Sequence, residues 1–270
     1  MPLRARRRRV RALVALIVLI AIAALLWLVS YVSYLPRFQV GSIAVVGAQN
    51  VPSRLVQAYT ETLVHDGVRH FLSQDNIFLM NAKVLGREIV GYFPRIKSAQ
   101  VDRESMLATA LTITVVERTP FALWCSDAND CYTMDESGFI FASAIASSTE
   151  QYVFKGSMSI SSSSNPIGHS FALAHLPGIL ALLQILSQAG FTPQGATLVN
   201  DQDFWVPLKN GFYIKASFGE DAGALVRNLQ LILSSDAIQG REDQVEYVDL
   251  RFGNRVYYKL KGGSETKASQ

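Results

Sequence analysis

The chain has 270 residues, 49% of them hydrophobic and 17% charged, with a formal net charge of +3. Of its 25 basic residues six are arginines in the first eleven positions, and without these the remainder carries nineteen basic against 22 acidic residues, or −3. The basic excess is confined to one end, which argues against nucleic acid as a partner of the main body.

Residues 4–11 read RARRRRVR, and residues 12–36 then carry no charge and are mostly Ala, Leu, Ile and Val. At about 1.5 Å of rise per residue, roughly 20 apolar residues in a helix cross a hydrocarbon core of about 30 Å. A transmembrane helix is expected over 12–36, because a helix pairs its backbone groups internally and lipid offers no partners. Arginine-rich flanks stay cytoplasmic, and Trp27, Tyr31 and Tyr34 gather at the far end, where aromatic rings prefer the interface. A cleavable signal peptide has a shorter apolar stretch of about 7–15 residues and a small-residue cleavage site. Here the run is longer and ends in SYVSYLPRF, so an uncleaved anchor is the better reading, with a cytoplasmic tail at 1–11.

Beyond the anchor, FQVGSIAVVG reads as a strand with Phe38, Val40, Ile43 and Val45 inward and a bulge at Gly41 and Ser42. NVPSRLVQAYTETLVHDG reads as a helix, with Leu55, Tyr59 and Leu63 recurring every fourth residue, Val56 beside them and Gly67 at its end. A second helix starts at the N-cap Asn81, carries Val84, Leu85, Ile89 and Phe93 as its apolar stripe, and stops at Pro94. Gly86 and Gly91 inside it read as packing positions. Two strands follow, IKSAQVDR and ALTITVVER, the second alternating Leu111, Ile113 and Val115 against Thr112 and Thr114. Strand, helix, helix, strand, strand over 37–118 describes a small α+β domain with two helices on one face of a three-stranded sheet.

The region 119–262 reads as mainly antiparallel β-structure with flanking helices. FALWC and CYTMD form a hairpin around SDAND, and Cys125 and Cys131 outside the cytoplasm form a disulfide in preference to a metal site. GFIFASA continues the meander, and residues 155–170, rich in Ser, Gly and Pro, form a surface loop. LPGILALLQILSQAG is a buried helix, too short for a second span. In DFWVPLKNGFYIKAS, Asn210 and Gly211 indicate a two-residue type I′ hairpin turn, and Pro207 an edge or a bulge. A helix near 221–234 packs Leu225, Val226, Leu229 and Ile232 inward, and VEYVDLRFGNRVYYKL forms two strands joined at Gly253 and Asn254. The tail 263–270 is polar and expected to be disordered.

Catalytic chemistry has little support. His65 and His70, and His169 and His175, match no ligand spacing and read as solvated; SMSISSSSN lacks the setting of a nucleophile elbow. Asp201 with Asp203, and Glu242 with Asp243, fall in polar turns, without the burial that acid–base work needs. No enzyme activity, cofactor, metal or small-molecule substrate is expected. The final hairpin is the better candidate: Arg251, Phe252, Arg255, Tyr257 and Tyr258 make it aromatic and basic. A terminal strand is an open edge able to accept a partner's strand. Two readings stand for Tyr257 and Tyr258: both serve the edge, or they alternate between core and solvent.

Taken together, these residues resemble the bacterial cell-division family FtsQ/DivIB. The order is similar: a basic tail, one membrane helix, a POTRA domain and a β domain. The resemblance is carried by Phe38, Val40, Ile43, Val45 and Gly47, by PRIKSAQVDR, LTITVVERTPFALW and MDESGF, and by LKNGFYIKAS and YVDLRF. It spans about positions 10 to 260, and departs from the family pattern in lacking a proline in ESMLATA, in its serine-rich loop and in its cysteine pair. The resemblance implies a non-enzymatic divisome scaffold of the bacterial inner membrane, located at the septum. It would bind FtsB/DivIC-like and FtsL-like division proteins and help control septal peptidoglycan synthesis. The implied partner-binding residues are Asp249, Arg251, Phe252, Gly253, Asn254, Val256, Tyr257 and Tyr258. The alternative is another POTRA-bearing membrane-anchored adaptor, serving secretion or envelope assembly.

Overall fold

The computed structural model describes residues 3–65, 71–126, 128, 130–144, 152–156 and 165–267. Two compact units divide the chain, Met1–Glu117 and Arg118–Gln270.

The first unit opens with α1, Leu3–Ser33. It begins earlier than the expected span because arginine is a good helix former and carries the helix into the basic tail. It stops earlier because the residue before Pro36 is held out of the α region. Within it, Val10–Ser33 is long and apolar enough to cross a membrane, and its large apolar side chains are exposed, the terminal Ser33 alone of this stretch being buried. Each large aliphatic side chain gains about 1.5–3 kcal/mol on leaving water, so the exposed Leu, Ile and Val of α1 favour an apolar medium by an amount on the order of tens of kcal/mol.

After a 3₁₀ turn at Pro36–Phe38 come β1 (Ser42–Val46), α2 (Ser53–Val64), α3 (Ala82–Tyr92), β2 (Ile96–Asp102) and β3 (Ala110–Glu117). This is the expected order. The sheet runs β1-β3-β2, with β1 parallel and β2 antiparallel to β3. Leu111, Ile113 and Val115 are buried as their alternation predicts, with Ile43, Ile89 and Ile96 in the same core. Phe38 lies in the 3₁₀ turn, outside the strand, and β1 begins after Gly41.

Both helix stripes are partly as predicted: Val56, Leu85 and Ile89 are buried and Tyr59, Leu63 and Phe93 pack against the same core, but Leu55 and Val84 do not. In α2 Leu55 is 56% exposed, and the buried set is Val56, Thr60 and Val64. Thr60 enters the core because its hydroxyl donates to the Val56 carbonyl at 2.7 Å, leaving no buried polar group unpaired. In α3 Val84 is exposed and Leu85, Gly86 and Ile89 face inward. Asn81 caps this helix as expected, accepting from the Lys83 and Val84 amides at 3.1 and 3.2 Å. Gly86 is a packing position, since a Cβ there would meet the Ala99 carbonyl oxygen at 2.5 Å; Gly91 has nothing within 4 Å and is not. Gly67 lies outside the described residues.

The second unit contains β4 (Ala122–Cys125), β5 (Cys131–Met134), β6 (Ile140–Ser143), β7 (Tyr152–Lys155), α4 (Leu176–Gln188), β8 (Gly195–Leu198) and β9 (Asp203–Pro207). It continues with β10 (Tyr213–Ser217), α5 (Ala222–Leu233), β11 (Val245–Phe252), β12 (Arg255–Leu260) and β13 (Glu265–Lys267). The strands form one sheet of ten, ordered β13-β12-β11-β10-β9-β8-β7-β4-β5-β6. The sheet is mixed but mainly antiparallel, as expected, with β4·β7, β7·β8 and β10·β11 pairing parallel. Two of these have a local cause: α4 lies between β7 and β8 and α5 between β10 and β11, and helical crossovers join parallel neighbours. Leu225, Val226, Leu229 and Ile232 of α5 pack inward as predicted, in one core with Leu182, Leu183 and Leu186 of α4.

Three further expectations are corrected. Pro207 does not mark an edge: β9 lies between β8 and β10, and Pro207 is tolerated as its last residue. The turn after it is not type I′, because Gly211 has φ +93° while Asn210 does not have positive φ. The Gly211 amide bonds to the Leu208 carbonyl and the Leu208 amide to the Phe212 carbonyl, as in a three-residue loop closed by a left-handed glycine. Finally, the tail is ordered at Glu265–Lys267, which pairs with Tyr257, Tyr258 and Lys259; positions 268–270 lie outside the described residues. The turn Gly262-Gly263 before it lets the chain double back onto β12.

Candidate interaction edge

The last hairpin is formed by β11 and β12, with Asp249 opposite Tyr257 and Phe252 opposite Arg255. Gly253 and Asn254 connect them, and only Gly253 has positive φ, +63°, the pattern of a type II′ turn. Alternation sends Val248, Leu250 and Val256 to the core side and Tyr247, Asp249, Arg251 and Tyr257 to the opposite face. β13 then covers β12, so the outermost strand is β13 and not β12 as expected; Glu265, Thr266 and Lys267 are all exposed.

The hairpin tip brings together Phe252, 53% exposed, with the exposed Gly253, Asn254 and Arg255. Tyr257 is half-buried and meets the Phe252 ring edge-on at 5.2 Å. Tyr258 packs against the core and Val256 is buried within it, so neither presents a free face. Of the two readings for the tyrosines, the alternating one matches the structure. Asp249 is only 1% exposed, which takes it out of reach of any partner.

Asp249 and Arg251 instead belong to an internal network. Arg251 donates to Asp249 through Nε at 2.9 Å and Nη2 at 2.6 Å, and to Asp203 through Nη1 at 2.7 Å. Ser217, opposite Asp203 in the β9·β10 register, donates to the same carboxylate at 2.8 Å. The guanidinium therefore ties β11 to β9 across β10, and Ser217 of β10 joins through Asp203. The Asp249 hydrogen bond raises the Arg251 pKa; burial opposes this, and Asp203 adds to it. Burial pushes the Asp203 carboxyl up, but hydrogen bonds from Ser217 and Arg251 and the Arg251 charge outweigh it and hold the carboxyl below its usual range. Asp203 thus lies in a strand and not in the polar turn expected for it. The signal was available: Asp249 and Arg251 sit two apart on one strand face, and counting both arms outward from Asn210 sets Asp203 against Ser217.

Beside the network, aromatic rings step across the same face. Trp205 and Tyr213 are 5.2 Å apart and Tyr213 and Tyr247 are 5.4 Å apart, with the Lys215 ammonium 3.5 Å from the Tyr247 ring centre. The Tyr247 hydroxyl donates to Glu265 of β13 at 2.9 Å. Burial, then this bond and the Glu265 charge, push the phenol up to about 12.

Cys125 and Cys131 form the expected disulfide, directly opposite across β4 and β5. His65 and His169 are exposed as expected, His65 lying 3.0 Å from Asp75, whereas His175 is half-buried and stacks on Phe218 at 4.0 Å. His70 lies outside the described residues, as does most of the serine-rich loop. Among the described residues no group of three or more His, Cys, Asp or Glu is arranged to hold a metal ion. No protein-family model matches the chain, and no curated protein matches it.

Proposed function

We propose that this chain is a membrane-anchored scaffold of the bacterial divisome, without catalytic activity, that binds small coiled-coil division proteins of the FtsB/DivIC and FtsL kinds. In this reading α1 spans the inner membrane at the septum with its arginines in the cytoplasm, the first unit is a POTRA domain, and the second is an FtsQ-type β domain. Through its partners it helps to control septal peptidoglycan synthesis. The observation that carries the reading is the open edge of the ten-stranded sheet, where β13 is short, exposed and has no outer neighbour among the described residues. Such an edge offers unpaired N–H and C=O groups to an incoming strand. The exposed Phe252 and Arg255 at the adjacent hairpin tip are of the residue types that dominate interface energies.

The interaction set is narrower than the sequence implied, because Asp249 and Val256 are buried and Arg251 serves the internal network. Phe252, Gly253, Asn254, Arg255 and β13 make the contact. The test is affinity capture of the full chain from detergent-solubilised membranes. FtsB- and FtsL-like proteins should be recovered, and Phe252→Ala should weaken their binding about 30-fold, the effect of losing about 2 kcal/mol at an interface hot spot. Its melting temperature should be unchanged, because Phe252 is outside the core. Recovery of secretion or envelope-assembly components in place of division proteins would overturn the division reading.

A further inference from the structure

The end of α1 is welded to the segment 71–79. Ser30 Oγ donates to the Phe71 carbonyl at 2.6 Å, the Ser73 amide donates to Ser33 Oγ at 3.1 Å, and Asn76 Nδ2 donates to the Ser33 carbonyl at 3.0 Å. The last carbonyls of a helix have no partner within it, and here Asn76 supplies one. Ser33, Ser73 and Asn76 are all buried, so the two bonds to Ser33 are shielded from competing water, while the Ser30 bond is exposed. The chain leaving α1 is tied to the same segment: the Val40 amide bonds to the Asp75 carbonyl and the Ile77 amide to the Phe38 carbonyl. A flexible stalk at this point would need none of these contacts.

The position of α1 then sets the position of the segment. Ser30 lies nineteen residues beyond Arg11, a rise of about 28 Å along the helix, against a hydrocarbon core of about 30 Å. With Arg11 at the cytoplasmic boundary, Ser30 and the Phe71 carbonyl bonded to it reach the outer boundary. At that level Phe71 is 57% exposed and Phe78 is 51% exposed, although both are large and apolar. Trp27 and Tyr31, stacked 5.5 Å apart on α1, occupy the same zone. Phe78 also leans on Phe38, 5.8 Å away at the helix exit, which keeps its ring beside the span.

We infer that Phe71 and Phe78 form a second membrane contact, inserting into the outer interface of the bilayer that α1 spans and holding the first unit against the membrane surface. This rests on the membrane-anchor reading proposed above. The occupant is lipid because the patch is continuous with the span and aromatic rings settle at headgroup level. Arg37, exposed on the 3₁₀ turn between α1 and β1, is placed to meet lipid phosphates.

The test uses the full chain reconstituted in phosphatidylethanolamine–phosphatidylglycerol vesicles, with lipid brominated at shallow acyl positions as a tryptophan quencher. Trp27 reports the anchor: its emission is the difference between the wild-type chain and Trp27→Phe, in which Trp124 and Trp205 remain as background. Phe78→Trp and, separately, Phe71→Trp are then made in the Trp27→Phe chain, with circular dichroism melting to verify the fold. The expected result is that the added tryptophan loses emission about two-fold in brominated vesicles relative to unbrominated ones, as a ring at headgroup level should. If Trp27 is quenched while both folded variants stay at background, the anchor stands and the inference is overturned, the patch facing water or another protein. If Trp27 itself is not quenched, the anchor reading fails and the inference falls with it.

Discussion

Arg251 has a different role from the one its neighbours in sequence suggest. It was expected at a partner interface, yet its guanidinium joins Asp249 and Asp203 across three strands. Removing it would strand two carboxylates, one of them almost fully buried. Arg251→Ala is therefore expected to cost about 3 kcal/mol, a fall of about 10 °C in melting temperature for a unit of this size, measured by thermal or urea denaturation. Acid should act on the same residues. Asp203 and Asp135 both titrate lower in the folded chain; burial raises each carboxyl, but hydrogen bonds from Ser217 and Arg251, or from Ser137 and Arg118, outweigh it. The unfolded chain binds their protons first as pH falls. Their stabilising contribution is thus complete above about pH 4 and is withdrawn as pH drops through the lowered folded values. Melting temperatures recorded from pH 7 to pH 3 should fall mainly in the lower part of that range.

Single contacts of this kind decide the behaviour of whole elements. β13 has three exposed residues and one polar anchor, the bond from Tyr247 to Glu265. Glu265→Gln removes the carboxylate that disfavours ionisation of Tyr247. Its phenol, now at about 12, should move toward the usual value of about 10 without reaching it, because burial remains the larger cause. Absorbance titration of the phenolate reads this, and an unchanged titration would mean that β13 does not hold Glu265 against Tyr247. The β4·β5 hairpin is closed by a disulfide between residues six apart. Replacing both Cys125 and Cys131 by Ser should lower stability by about 2 kcal/mol on the loop-entropy account, again read by denaturation. In the first unit, the carboxylate of Glu117 accepts from the backbone amides of Gln49, Asn50 and Val51, fixing the loop after β1. Nothing local to residue 117 announces such a contact, because its partners lie more than sixty positions away.

At the scale of the molecule the proposed arrangement has a definite orientation. In the proposed reading the arginines precede the span, and the positive-inside preference would keep the N-terminus in the cytoplasm. Protease added outside osmotically opened cells should degrade both units and leave α1 with its basic tail protected. Degradation only from the cytoplasmic face would reverse the topology. The same orientation is required for the sheet edge to meet partners beyond the membrane and for Phe71 and Phe78 to meet the outer interface.

Most elements were legible from periodicity alone. Leu111, Ile113 and Val115 alternate because a strand points successive side chains to opposite faces, and α1 is apolar for long enough to cross a membrane. Asn81 and Gly253 carried their own cap and turn chemistry. Tertiary structure decided how far each face turns inward: in α2 the core added Thr60 and Val64 to the expected Val56, with Tyr59 and Leu63 at its margin and Leu55 outside, since the docking angle, and not hydrophobicity, selects the face. It also decided the use of polar residues. Asp203, Asp249 and Arg251 look like exposed charges until the register of three strands brings them within 3 Å of one another's polar atoms. The open edge itself shifted from β12 to β13, because three polar residues gained strand pairing that their composition does not suggest. Local sequence determines backbone preference and the period of burial; only the folded chain determines which distant groups meet.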